Sequence, residues 1–260
     1  MAWWGKLIGG GLGFMMGGPL AAVLGAAFGH QFDVGLQGMA VDPPAGGNLQ
    51  ERIQTAFFTA TFSVMGHIAK ADGRVSDQEI ALARQLMAEM QLSSDQRRTA
   101  IALFDQGKRS DFPLDDVLEQ FRHECHRRST LVRMFLELQI RAAFADGRLD
   151  PAENRILHRA AEKLGISSRE FEALLQFIGG IMRDGAGRHV PRIEDDYQVL
   201  GVTATATEAE VKKAYRRLMS QHHPDKLVSK GLPDEMIKVA TETTREIRSA
   251  YERIMDARKV

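Results

Sequence analysis

Paired cysteines are missing from this chain. It has one, Cys125, so an internal disulfide is excluded, and so are the zinc modules built from cysteine pairs. Cys125 falls in a helical pattern, where a buried, inert thiol is the expected state. Net charge is missing as well. Lysine plus arginine and aspartate plus glutamate both number 34, which leaves no overall field to draw the molecule onto nucleic acid or an acidic surface. Any electrostatic role must come from a local patch. No convincing run of alternating apolar and polar residues marks a strand. Between residues 49 and 178 there is no glycine-rich phosphate loop, activated nucleophile or acid/base pair, which argues against an enzyme and against a bound cofactor or metal. What is present is ordinary globular material: 260 residues, 44% apolar, with room for one large or two modest domains.

Charged side chains are also absent from Leu7 to Gly29, about the 20 residues a helix needs to cross a bilayer. The expectation is a short N-terminal segment (1–6), one transmembrane helix (7–30) and a linker (31–48) containing Pro43 and Pro44. Glycines and Pro19 dilute the apolar residues, so insertion is expected to be weak. Gly9, Gly13, Gly17, Ala21, Gly25 and Gly29 recur at every fourth position. Such a stripe of small residues lets two helix backbones approach closely, and it predicts a homodimer through this helix. Trp3 and Trp4 suit a membrane interface. A cleaved signal peptide competes, with Lys6 before the apolar run and Gly25, Ala26 and Ala27 after it. The run is longer than the roughly 7 to 15 residues of such a core. Lys6 precedes the helix and Arg52 is the next basic residue, so charge bias alone favours a cytoplasmic N-terminus.

From residue 49 to 178 the pattern is helical throughout. Ile53, Phe57, Ala60, Val64 and Ile68 follow a helical period, and candidate helices start near 50, 77, 94, 113, 130, 151 and 168. Ser76 with Glu79, and Asp150 with Glu153, read as capping boxes. They belong to an internal echo: Ala71-Asp72-Gly73-Arg74-Val75 matches Ala145-Asp146-Gly147-Arg148-Leu149, and Leu92-Ser93-Ser94 matches Ile166-Ser167-Ser168. Two helical units of similar design are expected. On these residues the region resembles the TerB-like helical domain. A calcium loop at Asp72 or Asp146 lacks the alternating acidic residues it would need, and a capped turn explains both better. His67, His123, His126 and His158 read as solvated surface residues.

Residues 179–192, with several glycines and Pro191, read as a second linker before a last domain at 193–260. Tyr197 and Leu200 mark a short first helix ending at Gly201. Val211, Ala214, Tyr215, Leu218 and His222 form the inward face of a second helix, and Ile247, Ala250, Tyr251 and Ile254 that of a third. The two imply an antiparallel hairpin. His222-His223-Pro224-Asp225 opens the joining loop, where Pro224 stops the second helix and leaves His223 and Asp225 at an exposed tip. Lys212, Lys213, Arg216 and Arg217 concentrate positive charge on the outward face of the second helix of an otherwise neutral chain; a solvated helix face is one reading, and beside the exposed tip a docking surface is the expectation.

Framed by these helices, His223, Pro224 and Asp225 resemble the signature of the J domain. The run from His222 to Pro233 is similar to that of the DjlA family of membrane-anchored J proteins. With the membrane and middle segments, the likeness covers nearly the whole chain. The resemblance implies an all-α protein in three parts and a co-chaperone that stimulates ATP hydrolysis by a DnaK-type chaperone. It also implies that the basic stripe meets an acidic face of the chaperone's ATPase domain. Asp225 would accept an ion pair and His223 would contact the interdomain linker, while His222 packs inward. Because such a partner burns ATP in the bacterial cytoplasm, the expected placement is the inner membrane. The N-terminus would be periplasmic and the bulk of the chain cytoplasmic, against the charge bias. The chain carries no glycine/phenylalanine-rich segment, so client choice is expected to come from location, the middle domain or another partner. A competing expectation is an envelope stress-sensing scaffold whose middle domain binds a partner, with the J domain auxiliary.

Overall fold

The computed structural model describes residues 18–32, 49–126, 128–145, 147–185, 193–229 and 236–259, and every regular element among them is helical. Helix α1 spans Gly18–Phe32. Seven helices follow: α2 (Leu49–Ala69), α3 (Asp77–Glu89), α4 (Ser94–Gly107), α5 (Leu114–Glu124), α6 (Ser129–Ala143), α7 (Pro151–Lys163) and α8 (Ser168–Gly185). The last part holds α9 (Ile193–Leu200), α10 (Glu208–His222), α11 (Pro224–Val228) and α12 (Ile237–Ala257).

Helix α2 is the axle of the middle region, packed against α4, α5 and α6. The periodic stripe predicts an amphipathic helix, but every residue from Ile53 to Gly66 is buried. A helix enclosed on all sides leaves its polar groups only internal partners, and the Thr59 and Thr61 hydroxyls find none among the described residues. Thr55 donates to Glu51 O at 2.8 Å, Ser63 to Thr59 O at 2.7 Å, and Gln139 of α6 donates to Thr61 O at 3.2 Å. Close approach is made possible by glycine. A Cβ built at Gly66 would lie 2.0 Å from Phe104 O, and one at Gly107 would lie 1.8 Å from Ser63 O.

The internal echo is a structural duplication. In units α2–α3–α4 and α6–α7–α8 the first helices end, and the second and third helices start, at matching positions, while α2 begins earlier than α6 does. Ser76 and Asp150 both form complete capping boxes, with Glu79 and Glu153. Gly73 and Gly147 both take left-handed backbone, at φ 93° and 86°. The next turn repeats as well: Leu92 N–H bonds to Met87 O at 3.1 Å, and Ile166 N–H to Ala161 O at 2.9 Å. That turn needs positive φ just before the closing residue. One copy uses Gly165 (φ 77°) and the other strains Gln91 into φ 51°.

One expectation is described only in part, and one changes. Of the span expected at 7–30, the described part is α1, a 15-residue helix of about 22 Å. It lies on α4, α5 and α2 with Leu20, Val23 and Leu24 buried. Leu20 N–H bonds to Gln120 Oε1 at 2.8 Å, and Gln106 reaches Ala26 O at 3.3 Å. No described helix is long and apolar enough to cross a membrane. Of the small-residue stripe, Gly9, Gly13 and Gly17 lie outside the described residues; Ala21 is half-buried, Gly25 is exposed and Gly29 falls within α1. The linker expected at 179–192 begins inside a helix, because α8 continues to Gly185. Gly180 serves packing: a Cβ there would meet Val199 Cγ2 at 3.1 Å and Asp195 O at 3.3 Å, so α9 can lie directly on α8.

Cys125 is buried, and burial pushes its thiol up to about 12, the inert state expected. His67 departs from the solvated reading. It is half-buried, its Nδ1 sits 3.2 Å from Gly107 O, and burial lowers its pKa. His158 packs edge-on against Phe171, with ring centres 4.5 Å apart, while His123 and His126 are exposed.

Candidate functional site

The site grows from two helices. Thr207 caps α10 in a box with Glu210, which fixes where the helix starts and therefore which residues face in. Val211, Ala214, Leu218 and His222 are buried on one side. Opposite them α12 buries Val239, Ala240, Thr243, Ile247, Ala250 and Ile254. Tyr215 and Tyr251 stack along the edge of this hairpin, 4.3 Å apart and 18° from parallel. They are half-buried and clamp its side, instead of filling its centre as the inward pattern predicts. Leu200 and Tyr197 of α9 close the core at 0% and 8% exposure. The Tyr197 hydroxyl accepts a hydrogen bond from Arg258 Nε at 3.0 Å.

A contact that periodicity does not reveal ties α9 to α12. Arg253 holds the buried Asp196 carboxylate from Nε at 3.0 Å and from a terminal nitrogen at 2.5 Å. The signal is faint in sequence, since an acidic residue in the first turn of a helix reads first as a dipole partner.

At the end of α10 the chain turns at His223 (φ −62°, ψ 123°), the extended conformation that a following proline imposes. Pro224 ends one helix and begins another, at the first position of α11, where its missing N–H costs nothing. The corner expected as a loop is therefore a capped helical turn. His223 is its N-cap: Nδ1 accepts from the Asp225 N–H at 3.2 Å, and its carbonyl accepts from Lys226 and Leu227 at 3.1 Å. Leu227 pins the turn into the core. With Nδ1 accepting that N–H, Nε2 is the ring nitrogen turned toward donation. The His223 side chain is 47% exposed and that of Asp225 is 92% exposed.

Along the same helix Lys213, Arg216 and Arg217 are exposed. Lys212 is half-buried and paired with Glu208 one turn back, which raises its pKa. Three of the four predicted cations thus stand toward solvent, and the fourth is held in an ion pair within the helix.

His222 faces the other way. It is buried at 6% exposure, with its ring 5.3 Å from that of Phe177 on α8 and its Nδ1 3.5 Å from Glu137 on α6. Burial lowers its pKa, the Glu137 carboxylate works against that, and Arg133 and Arg141 add to it. Arg141 also pairs with Glu246 of α12 at 2.9 Å. Inward packing of His222 is as expected, but the wall it packs against belongs to the middle helices. No periodicity in one segment announces a contact with another.

Three family models match in chain order: the co-chaperone DjlA transmembrane domain over residues 1–39, tellurite resistance protein TerB over 58–176, and the DnaJ domain over 195–260. The chain is 44% identical to the co-chaperone protein DjlA of Salmonella typhimurium over 98% of each chain. It is 44% identical to that of Coxiella burnetii over the whole of both. Against DjlA of Escherichia coli K12 it is also 44% identical, over 98% of this chain and 97% of the relative. No solved structure matches. Sequence, helical architecture and the order of the three matched segments agree, and the chain belongs to the DjlA family of membrane-anchored co-chaperones.

Proposed function

We propose that this protein stimulates ATP hydrolysis by a DnaK-type chaperone, regulating that ATPase without being an enzyme itself. The carrying observation is the corner at His223, Pro224 and Asp225, which is capped, pinned by Leu227 and exposed beside the cationic face of Lys213, Arg216 and Arg217. Asp225 offers an unburied carboxylate to a cation of the partner, and His223 offers Nε2 as a donor. The cations supply steering toward an acidic surface. Binding that favours the partner's hydrolysis-competent state is allosteric and involves no chemistry on this chain. Residues 193–260 act as the docking domain, 49–178 as the domain that carries it, and 7–30 as the anchor. In the bacterial inner membrane the anchor, α1 included, leaves its seat on α2, α4 and α5, with the N-terminus periplasmic, and the small-residue stripe from Gly9 to Gly29 pairs two copies. Pairing raises the local concentration of docking corners at the membrane.

Single-turnover ATP hydrolysis by the chaperone, with and without the full-length protein in detergent, tests this. Acceleration is expected from the wild type. Asp225→Asn and His223→Gln are each expected to abolish it, since loss of one desolvated charge partner costs about 2 to 5 kcal/mol. Wild-type acceleration by either variant refutes the assignment.

A further inference from the structure

The residue just before the exposed corner is held by the middle helices. His222 ends α10, and its ring is closed in from four directions. Phe177 of α8 lies against its face at 5.3 Å, and Glu137 of α6 approaches Nδ1 at 3.5 Å. Leu227 of α11 and Thr243 of α12 line the small enclosed space beside it. The charged groups facing it are Glu137, Arg133 and Arg141, all on α6. Glu137 is itself fixed, accepting from Arg133 at 3.1 Å with a side chain 8% exposed. A second tie, Arg141 to Glu246, joins α6 to α12 with both side chains largely covered.

This arrangement has a mechanical consequence. The direction in which the chain leaves α10 is set at His222 and His223, and Asp225 hangs from His223 through the backbone N–H to Nδ1 bond. Immobilising the His222 ring therefore orients the carboxylate that would meet the partner. The hold does not hide that carboxylate, which remains 92% exposed.

We infer that Glu137 and Phe177 are positioning residues, through which the middle domain grips His222 and sets the presentation of the His223–Asp225 corner to its chaperone. The inference rests on the proposed co-chaperone reading, and the test separates the two. Full-length protein in detergent is titrated into single-turnover hydrolysis by the DnaK-type chaperone, and the half-saturating concentration is read apart from the maximal rate. Phe177→Ala and Glu137→Ala are expected to raise the half-saturating concentration at least fivefold while the maximal rate stays within twofold. Loss of orientation weakens encounter but leaves the docking groups intact. Glu137→Gln retains an acceptor for His222 and is expected to restore most of the wild-type value. Should Glu137→Ala fail to fold, Arg141→Met loosens the same seam from its more exposed tie and is expected to show the same split. If the wild type accelerates hydrolysis, Asp225→Asn abolishes it, and these variants titrate like the wild type, the positioning inference falls and the co-chaperone reading stands. If the wild type does not accelerate hydrolysis at all, both fall.

Discussion

Two aspartates in the C-terminal helices show how residue-level surroundings separate a structural group from a functional one. Asp196 is 2% exposed and gripped by Arg253 in a two-pronged pair, whereas the Asp225 side chain is 92% exposed. A buried carboxylate deprived of its guanidinium keeps its desolvation penalty and loses much of the compensation. Arg253→Met is therefore expected to destabilise the protein by on the order of 3 kcal/mol, read as a lower urea midpoint at unchanged slope. Asp225→Asn is expected to leave that midpoint in place, because a solvated side chain has little to lose. An unchanged midpoint for Arg253→Met would show that the fork does not hold α9 to α12 in solution.

At the scale of helices, the start points were readable because they depend on local chemistry. Ser76 and Asp150 each meet a glutamate three positions on, and both expected boxes form; Thr207 forms a third with Glu210 that the sequence reading does not include. The hairpin faces were equally readable from spacing, down to Val211, Leu218, Ile247 and Ile254. Glycine was read less well, since its meaning depends on what lies across from it. Gly179 and Gly180 look like a hinge in sequence, yet α8 runs through them so that α9 can touch its backbone. Gly66 and Gly107 carry no such signal in their own segments, though they allow α2 and α4 to meet with backbone against backbone. A methyl group at either would overlap a carbonyl oxygen that no side-chain rotation can move aside. Gly66→Ala and Gly107→Ala are each expected to cost about 1 to 3 kcal/mol or more through forced separation of the helices, despite the better helix propensity of alanine. Thermal unfolding measures this, and a melting temperature at or above wild type would mean the two helices are not in such contact.

For the whole molecule, the question is whether the two helical parts behave as one, and His222 offers a way to ask it. Burial holds its pKa below the ordinary value, and its Nε2 has no hydrogen-bond partner among the described residues. A charged ring there would bury an unsatisfied N–H, so the docked state keeps it neutral. Unfolding or undocking frees the ring to bind a proton at its ordinary pKa of about 6.5. The unfolded state thus carries more protons below that pH. Stability from this group is complete above about pH 6.5 and declines as the pH falls toward the lower, folded value, by at most about 1.4 kcal/mol per pH unit. His67 is shifted the same way and contributes its own decline. Glu246 opposes both, because burial raises its pKa and its folded form takes up a proton first as the solution is acidified. Comparing wild type with His222→Gln removes the contributions of His67 and Glu246, which the two proteins share. Between pH 7.5 and 5.5 the wild type is expected to lose more stability than the variant, as read from urea midpoints of the full chain in detergent. Equal losses would mean that the His222 ring is already free to take a proton in the folded protein. The contact through Glu137 and Phe177 would then not persist in solution, and the middle helices would have no hold on the corner beside it.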